Sequence, residues 1–103
     1  MGALAVAIGC ASQIPEPSSV DLEIARARWP EATLEELDSG RTLYIQNCAG
    51  CHELPRPGDF APEQWWETVE EMRVDADVEL TDEETIRIQR YLFAASRAAL
   101  SPR

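Results

Sequence analysis

No stretch of this 103-residue chain alternates apolar and polar residues with the two-residue period of a strand. Two Thr-x-x-Glu boxes open runs of helical spacing instead. In Thr33-Leu34-Glu35-Glu36 the hydroxyl falls at the N-cap and the carboxylate at N3, where each can serve a backbone N–H of the other. Thr81-Asp82-Glu83-Glu84 repeats the device and predicts a helix to about Ala99. Ile88, Tyr91, Leu92 and Ala95 form the apolar stripe of that helix, acidic residues crowd its start and Arg97 sits near its end, as the helix dipole favours. The pattern predicts an all-α fold.

The remaining elements fit between these two. Val20 to Trp29 has helical spacing through Val20, Ile24 and Ala27, and Pro30 stops it. The helix opened by Thr33 carries Leu37, Gly40 and Tyr44 on one face, with Leu34 and Arg41 at the flank. A glycine within a helix costs up to ~1 kcal/mol against alanine, and Gly40 is expected to let another helix approach closely. Leu54-Pro55-Arg56-Pro57-Gly58-Asp59 is a loop of turn-forming residues. A short helix is predicted from near Pro62, carrying Trp65, Trp66, Val69 and Met72. Trp65, Val69 and Met72 share its face by i, i+4, i+7 spacing. Val74 to Glu79 leads to the last helix.

The helix from Leu34 runs into Cys48-Ala49-Gly50-Cys51-His52. Thiols at i and i+3 of one turn lie on the same face. From there they can add to the two vinyl groups along one porphyrin edge, and the histidine that follows can turn its imidazole to the iron, so the run reads as a c-type haem attachment signature. Other readings of the pair exist. A thioredoxin-like motif expects a βαβ neighbourhood, which is not visible. Half a zinc site would need partners, but only Cys10 remains among the cysteines and His52 is the single histidine. A plain disulfide is the third. A chain this short buries little apolar surface alone, and a flat apolar macrocycle would serve as a core element.

The formal charge is −10, and all nine basic residues are arginine. Nucleic acid is not expected as a partner for so acidic a chain; a redox partner with a basic docking surface is. At the other end, residues 1–9 are small and apolar and end at Cys10. Ala7-Ile8-Gly9-Cys10 looks like a bacterial lipobox, although the stretch lacks the positive region of a signal peptide and is too short to span a membrane. The expected organisation is a signal-peptide remnant at 1–9, a lipidated, extended and mobile tether at 10–19 with Pro15 and Pro17, and one domain at 20–103. Lipidated Cys10 would anchor the chain to a membrane. The two cysteine signals agree, since haem c is attached outside the bacterial cytoplasmic membrane. The expected location is the bacterial cell envelope, facing the periplasm or the exterior.

Gly40, Tyr44, Cys48, Cys51 and His52, with Ile88 and Tyr91 in the last helix, resemble a class I c-type cytochrome. The Leu-Pro-x-Pro loop and the Trp-rich segment ending in Met-Arg are similar to small bacterial lipoprotein monohaem cytochromes. The resemblance covers roughly Leu34 to Ala98. It implies a small cytochrome c-like helical domain wrapped around one covalently bound haem, with the Gly40 helix crossing the last helix. It also implies haem c held through Cys48 and Cys51, with His52 as proximal iron ligand donating its free ring N–H to a backbone carbonyl such as that of Pro55 or Pro57.

For the sixth position there is no second histidine and no lysine, and Met72 is the one methionine besides Met1. Met72 is the expected distal ligand, favouring ferrous iron. It departs from the family pattern in lying twenty residues after His52 and in being followed by Arg73. As a core filler instead, it would leave the iron five-coordinate. Trp65 and Trp66 are expected to wall the haem, an indole N–H reaching a propionate, and Arg41 and Arg56 are candidates to pair with propionates.

No catalytic pair is visible, so the expectation is a one-electron carrier and not an enzyme. Two alternatives are a haem subunit of a larger oxidoreductase, docked through an apolar patch at Val20, Ile24 and Trp29, and a five-coordinate gas-binding or gas-sensing haem protein.

Overall fold

The computed structural model describes residues 14–48, 54–75 and 77–101. Every regular element among them is helical: α1 Ser19–Arg28, α2 Leu34–Cys48, a 3-10 turn at Pro57–Asp59, α3 Gln64–Asp75 and α4 Asp82–Leu100. None of these helices is long and apolar enough to cross a membrane.

Local chemistry accounts for the helix ends. Thr81 Oγ1 accepts from the Glu84 amide and the Glu84 carboxylate accepts from the Thr81 amide, both at 3.0 Å. At Thr33 the hydroxyl accepts from the Glu36 amide at 3.1 Å. The Glu36 carboxylate is turned to Arg90, 3.1 Å away on α4. α1 starts with a capping box that the sequence reading passed over: Ser18 Oγ accepts from the Asp21 amide at 3.2 Å, and Asp21 Oδ2 accepts from the Ser18 amide at 3.1 Å. Burial raises the Asp21 carboxyl above its ordinary pKa, against the opposing effect of the Ser18 hydrogen bonds.

α3 ends in a Schellman turn. The Val78 amide donates to the Arg73 carbonyl at 3.0 Å and the Asp77 amide to the Val74 carbonyl at 3.2 Å, with Asp77 in the left-handed region at φ 55°. A glycine relieves that conformation. Asp77→Gly should therefore stabilise the fold by about 0.5–1 kcal/mol, a rise in unfolding temperature of roughly 2–8 °C. An unchanged or lower melting temperature would show that this turn carries no strain.

α4 is the central element and packs against all the others. The predicted stripe Ile88, Tyr91, Leu92, Ala95 is buried, but so are Phe93, Ala94 and Ser96. The extra burial arises because α4 is covered on two sides. One cluster joins Tyr44, Trp65, Val69, Ile88, Tyr91, Leu92 and Ala95. The other joins Ala25, Ala32, Leu37 and Ala94, with Leu22, Ile24 and Trp29 packed against it. α2 crosses α4 at Gly40, as its position in the helix suggested. A Cβ there would sit 2.6 Å from the Arg87 carbonyl carbon and 3.0 Å from Tyr91 Cβ.

Two expectations need correction. The stretch read as mobile up to Ser19 is docked from Ile14 onward. Ile14 is 1% exposed in the main cluster, Arg41 Nε donates to its carbonyl at 2.9 Å, and the Tyr91 hydroxyl donates to the Pro15 carbonyl. The prolines give up no N–H by lying extended, so a single apolar side chain and two carbonyls suffice to seat the segment. The patch Val20, Ile24, Trp29 is less exposed than expected. Val20 is 54% exposed, whereas Ile24 and Trp29 are half-buried against the second cluster.

Candidate functional site

The last turn of α2 and one face of α3 border a cleft of about 440 Å³. Cys48 lines it from α2; Thr68, Glu71, Met72 and Asp75 line it from α3. The helical period explains the set. Trp65 and Val69 turn inward and are buried, and Met72, one further step along the same row, reaches the rim half-buried against the main cluster. Tyr44 lies one turn before Cys48 and is fully buried in the same cluster. The structure thus brings Cys48 and Met72 to one cavity. Cys51, His52 and Cys10 lie outside the described residues.

Within the main cluster the aromatic rings pack edge to face. Trp65 meets Tyr44 at 5.8 Å between centroids and Phe60 at 5.0 Å, both near perpendicular. Trp65 is fully buried and its Nε1 donates to the Pro57 carbonyl at 2.9 Å. A buried N–H needs a partner, and for Trp65 the loop supplies it.

Trp66 does not join Trp65. It stacks on Phe93 at 5.7 Å, meets Trp29 edge-on at 6.1 Å, and shares with both rings the Arg28 guanidinium. Adjacent positions on a helix point about 100° apart, which sends the two tryptophans to different clusters.

Neither Arg41 nor Arg56 lines this cleft. Arg41 holds the Ile14 carbonyl. Arg56 is exposed at the head of the 3-10 turn, and with Pro15, Pro57, Gly58, Asp59, Ala95 and Ala99 it borders a separate cavity of about 400 Å³. Thr68, Glu71 and Asp75 were not singled out from sequence as cleft residues. The signal was present in their spacing: Thr68, Glu71, Met72 and Asp75 follow the i, i+3, i+4, i+7 rule.

Burial pushes the Cys48 thiol up to about 11 from 9.0. It also raises the Tyr44 hydroxyl, with neighbouring Cys48 a smaller cause. Both groups are therefore protonated at neutral pH. Since the thiolate is the nucleophile, alkylation of Cys48 by iodoacetamide at pH 7.5 should be about a hundredfold slower in the folded chain without cofactor than in urea. The rate in the folded chain should go on rising with pH up to about 11. Peptide mass spectrometry reads the rate; equal rates in both states would mean that the thiol is not shielded. What the arrangement offers chemically is a protonated thiol and a thioether on one cavity, with Thr68, Glu71 and Asp75 beside them.

Over 41 residues, 40% of its length, the chain is 42% identical to a nitrite reductase of Stutzerimonas stutzeri. The chain spans 7% of the length of that enzyme. No family model matches the chain, and no solved structure matches it.

Proposed function

We propose that the chain is a small c-type cytochrome of the class I kind that binds one haem covalently and passes single electrons to and from partner proteins, without a substrate of its own. The observation that carries this reading is the shared cleft. Cys48 opens the Cys-x-x-Cys-His run, Met72 is the one methionine besides Met1, and the two line the same cavity from different helices. The crossing of α2 and α4 at Gly40, with Ile88 and Tyr91 packed beside it, supports the same reading.

In this account Cys48 and Cys51 would hold the haem through thioether bonds, each the net addition of S–H to a vinyl group, so that no oxidant would be needed. The raised pKa of Cys48 keeps it as the protonated thiol until that addition. His52 and Met72 would be the residues that hold the iron. Haem with these ligands supplies a one-electron couple, with methionine favouring the ferrous form. The edge-to-face packing of Trp65 on Tyr44 ties α3 to α2.

The partner in this proposal carries a basic docking surface. Ten of the nineteen acidic residues and only one arginine lie between Glu63 and Glu84. Glu71 and Asp75 place part of that charge on the cleft rim, which favours encounter with a cationic surface. Attachment to the cell envelope through a lipidated Cys10 belongs to the same proposal.

A second reading is a haem unit working within a larger oxidoreductase; the match to a small part of a nitrite reductase favours it. A reduced-minus-oxidised spectrum with potentiometric titration tests haem binding, and native size-exclusion separates a free carrier from a subunit. Carbon monoxide should leave the reduced protein unperturbed. Prompt, tight binding would mean an open iron site and would overturn the carrier reading.

A further inference from the structure

A guanidinium held over three rings marks a second face of the domain. Trp29 at the end of α1, Trp66 of α3 and Phe93 of α4 meet in one cluster. Trp66 stacks on Phe93 at 5.7 Å, and Trp29 stands edge-on to Trp66 and Phe93 at 6.1 and 5.4 Å between centroids. Arg28, the last residue of α1, places its Cζ 5.5 Å from the Trp29 centroid, 5.8 Å from that of Trp66 and 4.8 Å from that of Phe93. Phe93 is buried, both tryptophans are half-buried and Arg28 is exposed. This face is not the cleft: Trp66 and Met72 point about 120° apart around α3.

The other cations over these rings are answered within the chain. Arg90 lies over Trp29 at 4.9 Å and pairs with Glu31 at 3.0 Å and Glu36 at 3.1 Å. Arg97 lies over Phe93 at 5.6 Å and pairs with Glu63 at 3.5 Å. Arg28 makes no hydrogen bond or ion pair among the described residues. Its ring contacts use none of its five N–H donors. A guanidinium is weakly hydrated and matches a carboxylate through two parallel N–H bonds. Held over rings, it has little rotamer freedom left to lose when an acceptor arrives. Arginine and tryptophan are also the residues that most often anchor protein interfaces.

We infer that Arg28, Trp29 and Trp66 form a docking site for an acidic segment of a partner protein. One carboxylate of that segment sits on the N–H edge of Arg28, and its chain lies against the exposed parts of the tryptophans. Charge complementarity selects this occupant. An anionic bilayer holds proteins through clusters of cations, whereas this face offers one unanswered cation on a chain of net charge −10. The site asks nothing of haem. It would let a partner hold the domain while the cleft stays free.

The test is a titration of the full chain followed by proton–nitrogen NMR. Tetraglutamate blocked at both ends should move the Arg28 Nε–H signal and the Trp29 and Trp66 indole signals together and saturably. Tetralysine should move none of them. Arg28→Gln should weaken the binding by about tenfold or more, and Arg28→Lys, which keeps the charge but not the fork, by about threefold. Unmoved signals would overturn the docking site. So would an Arg28→Gln variant that melts lower but keeps the wild-type affinity, since the residue would then only brace the rings. Phosphatidylglycerol vesicles that move the three signals at a lower concentration of charge than the peptide would overturn it in favour of a membrane face. Signals that move with protein concentration alone would overturn it in favour of a second copy of the chain. If Arg28→Gln does not fold, the wild-type titration and Arg28→Lys decide.

Discussion

Gly40→Ala should lower the stability of the domain by about 2–4 kcal/mol, a large part of the 5–15 kcal/mol that holds a typical domain together. The sign is not obvious from the helix alone, where alanine is better than glycine by about 1 kcal/mol. It is set by the crossing. The added carbon would meet the backbone of Arg87, with the carbonyl carbon at 2.6 Å, and Tyr91 Cβ at 3.0 Å. Backbone cannot rotate away as a side-chain tip can, so α2 and α4 must separate. That separation would spread through Tyr44, Ile88 and Tyr91, which pack in one cluster.

Gly58→Ala is the internal comparison. Its Cβ would lie 3.1 Å from the Ala99 Cβ, at an exposed position on the last turn of α4. Its cost should be well under half that of Gly40→Ala. Urea unfolding of both variants in the same cofactor state measures the difference. A Gly40→Ala midpoint at or above wild type would show that the helices do not cross this closely.

Met72→Ala should abolish the near-infrared charge-transfer band between sulfur and ferric iron and lower the reduction potential. The reduced variant should bind carbon monoxide, which the proposed six-coordinate wild type should resist. Removing a half-buried methionine also costs about 1–2 kcal/mol of packing, so a fall in stability alone decides nothing. Met72→His separates the two effects. It restores a sixth ligand and low-spin iron while leaving the sulfur band absent and the potential low, because methionine, not histidine, raises it. A band that survives in Met72→Ala would assign the sixth position to another group.

Local signals in the sequence were readable where the physics was local. The Thr33 and Thr81 caps, the Trp65-Val69-Met72 row and the close approach at Gly40 all depend on residues a few positions apart, and the all-helical architecture follows from them. Tertiary placement was less readable. Ile14 sits among Ser, Gln and Pro, so its neighbours suggested a mobile tether; its burial in the main cluster and the distant donors Arg41 and Tyr91, which take the Ile14 and Pro15 carbonyls, pin it.

Trp65 and Trp66 look alike in the sequence, yet one serves the Pro57 carbonyl and the other stacks on Phe93. Which of the two enters the main cluster depends on where α4 lies. Of the candidate site, Cys48 and Met72 meet at one cavity, whereas Arg41 and Arg56 were drawn to backbone and solvent. An arginine has several acceptors to choose from, and its sequence neighbours do not indicate which it takes.

The most direct test of the central claim is the intact mass of the protein made in a host that exports and matures c-type cytochromes. The sample is measured after acid–acetone extraction, which removes haem that is not covalently held. The expected mass is that of the chain plus one haem, and Cys48→Ser with Cys51→Ser should return it to the bare chain. A wild-type mass without haem after extraction would contradict covalent attachment and, with it, the proposed electron-transfer function.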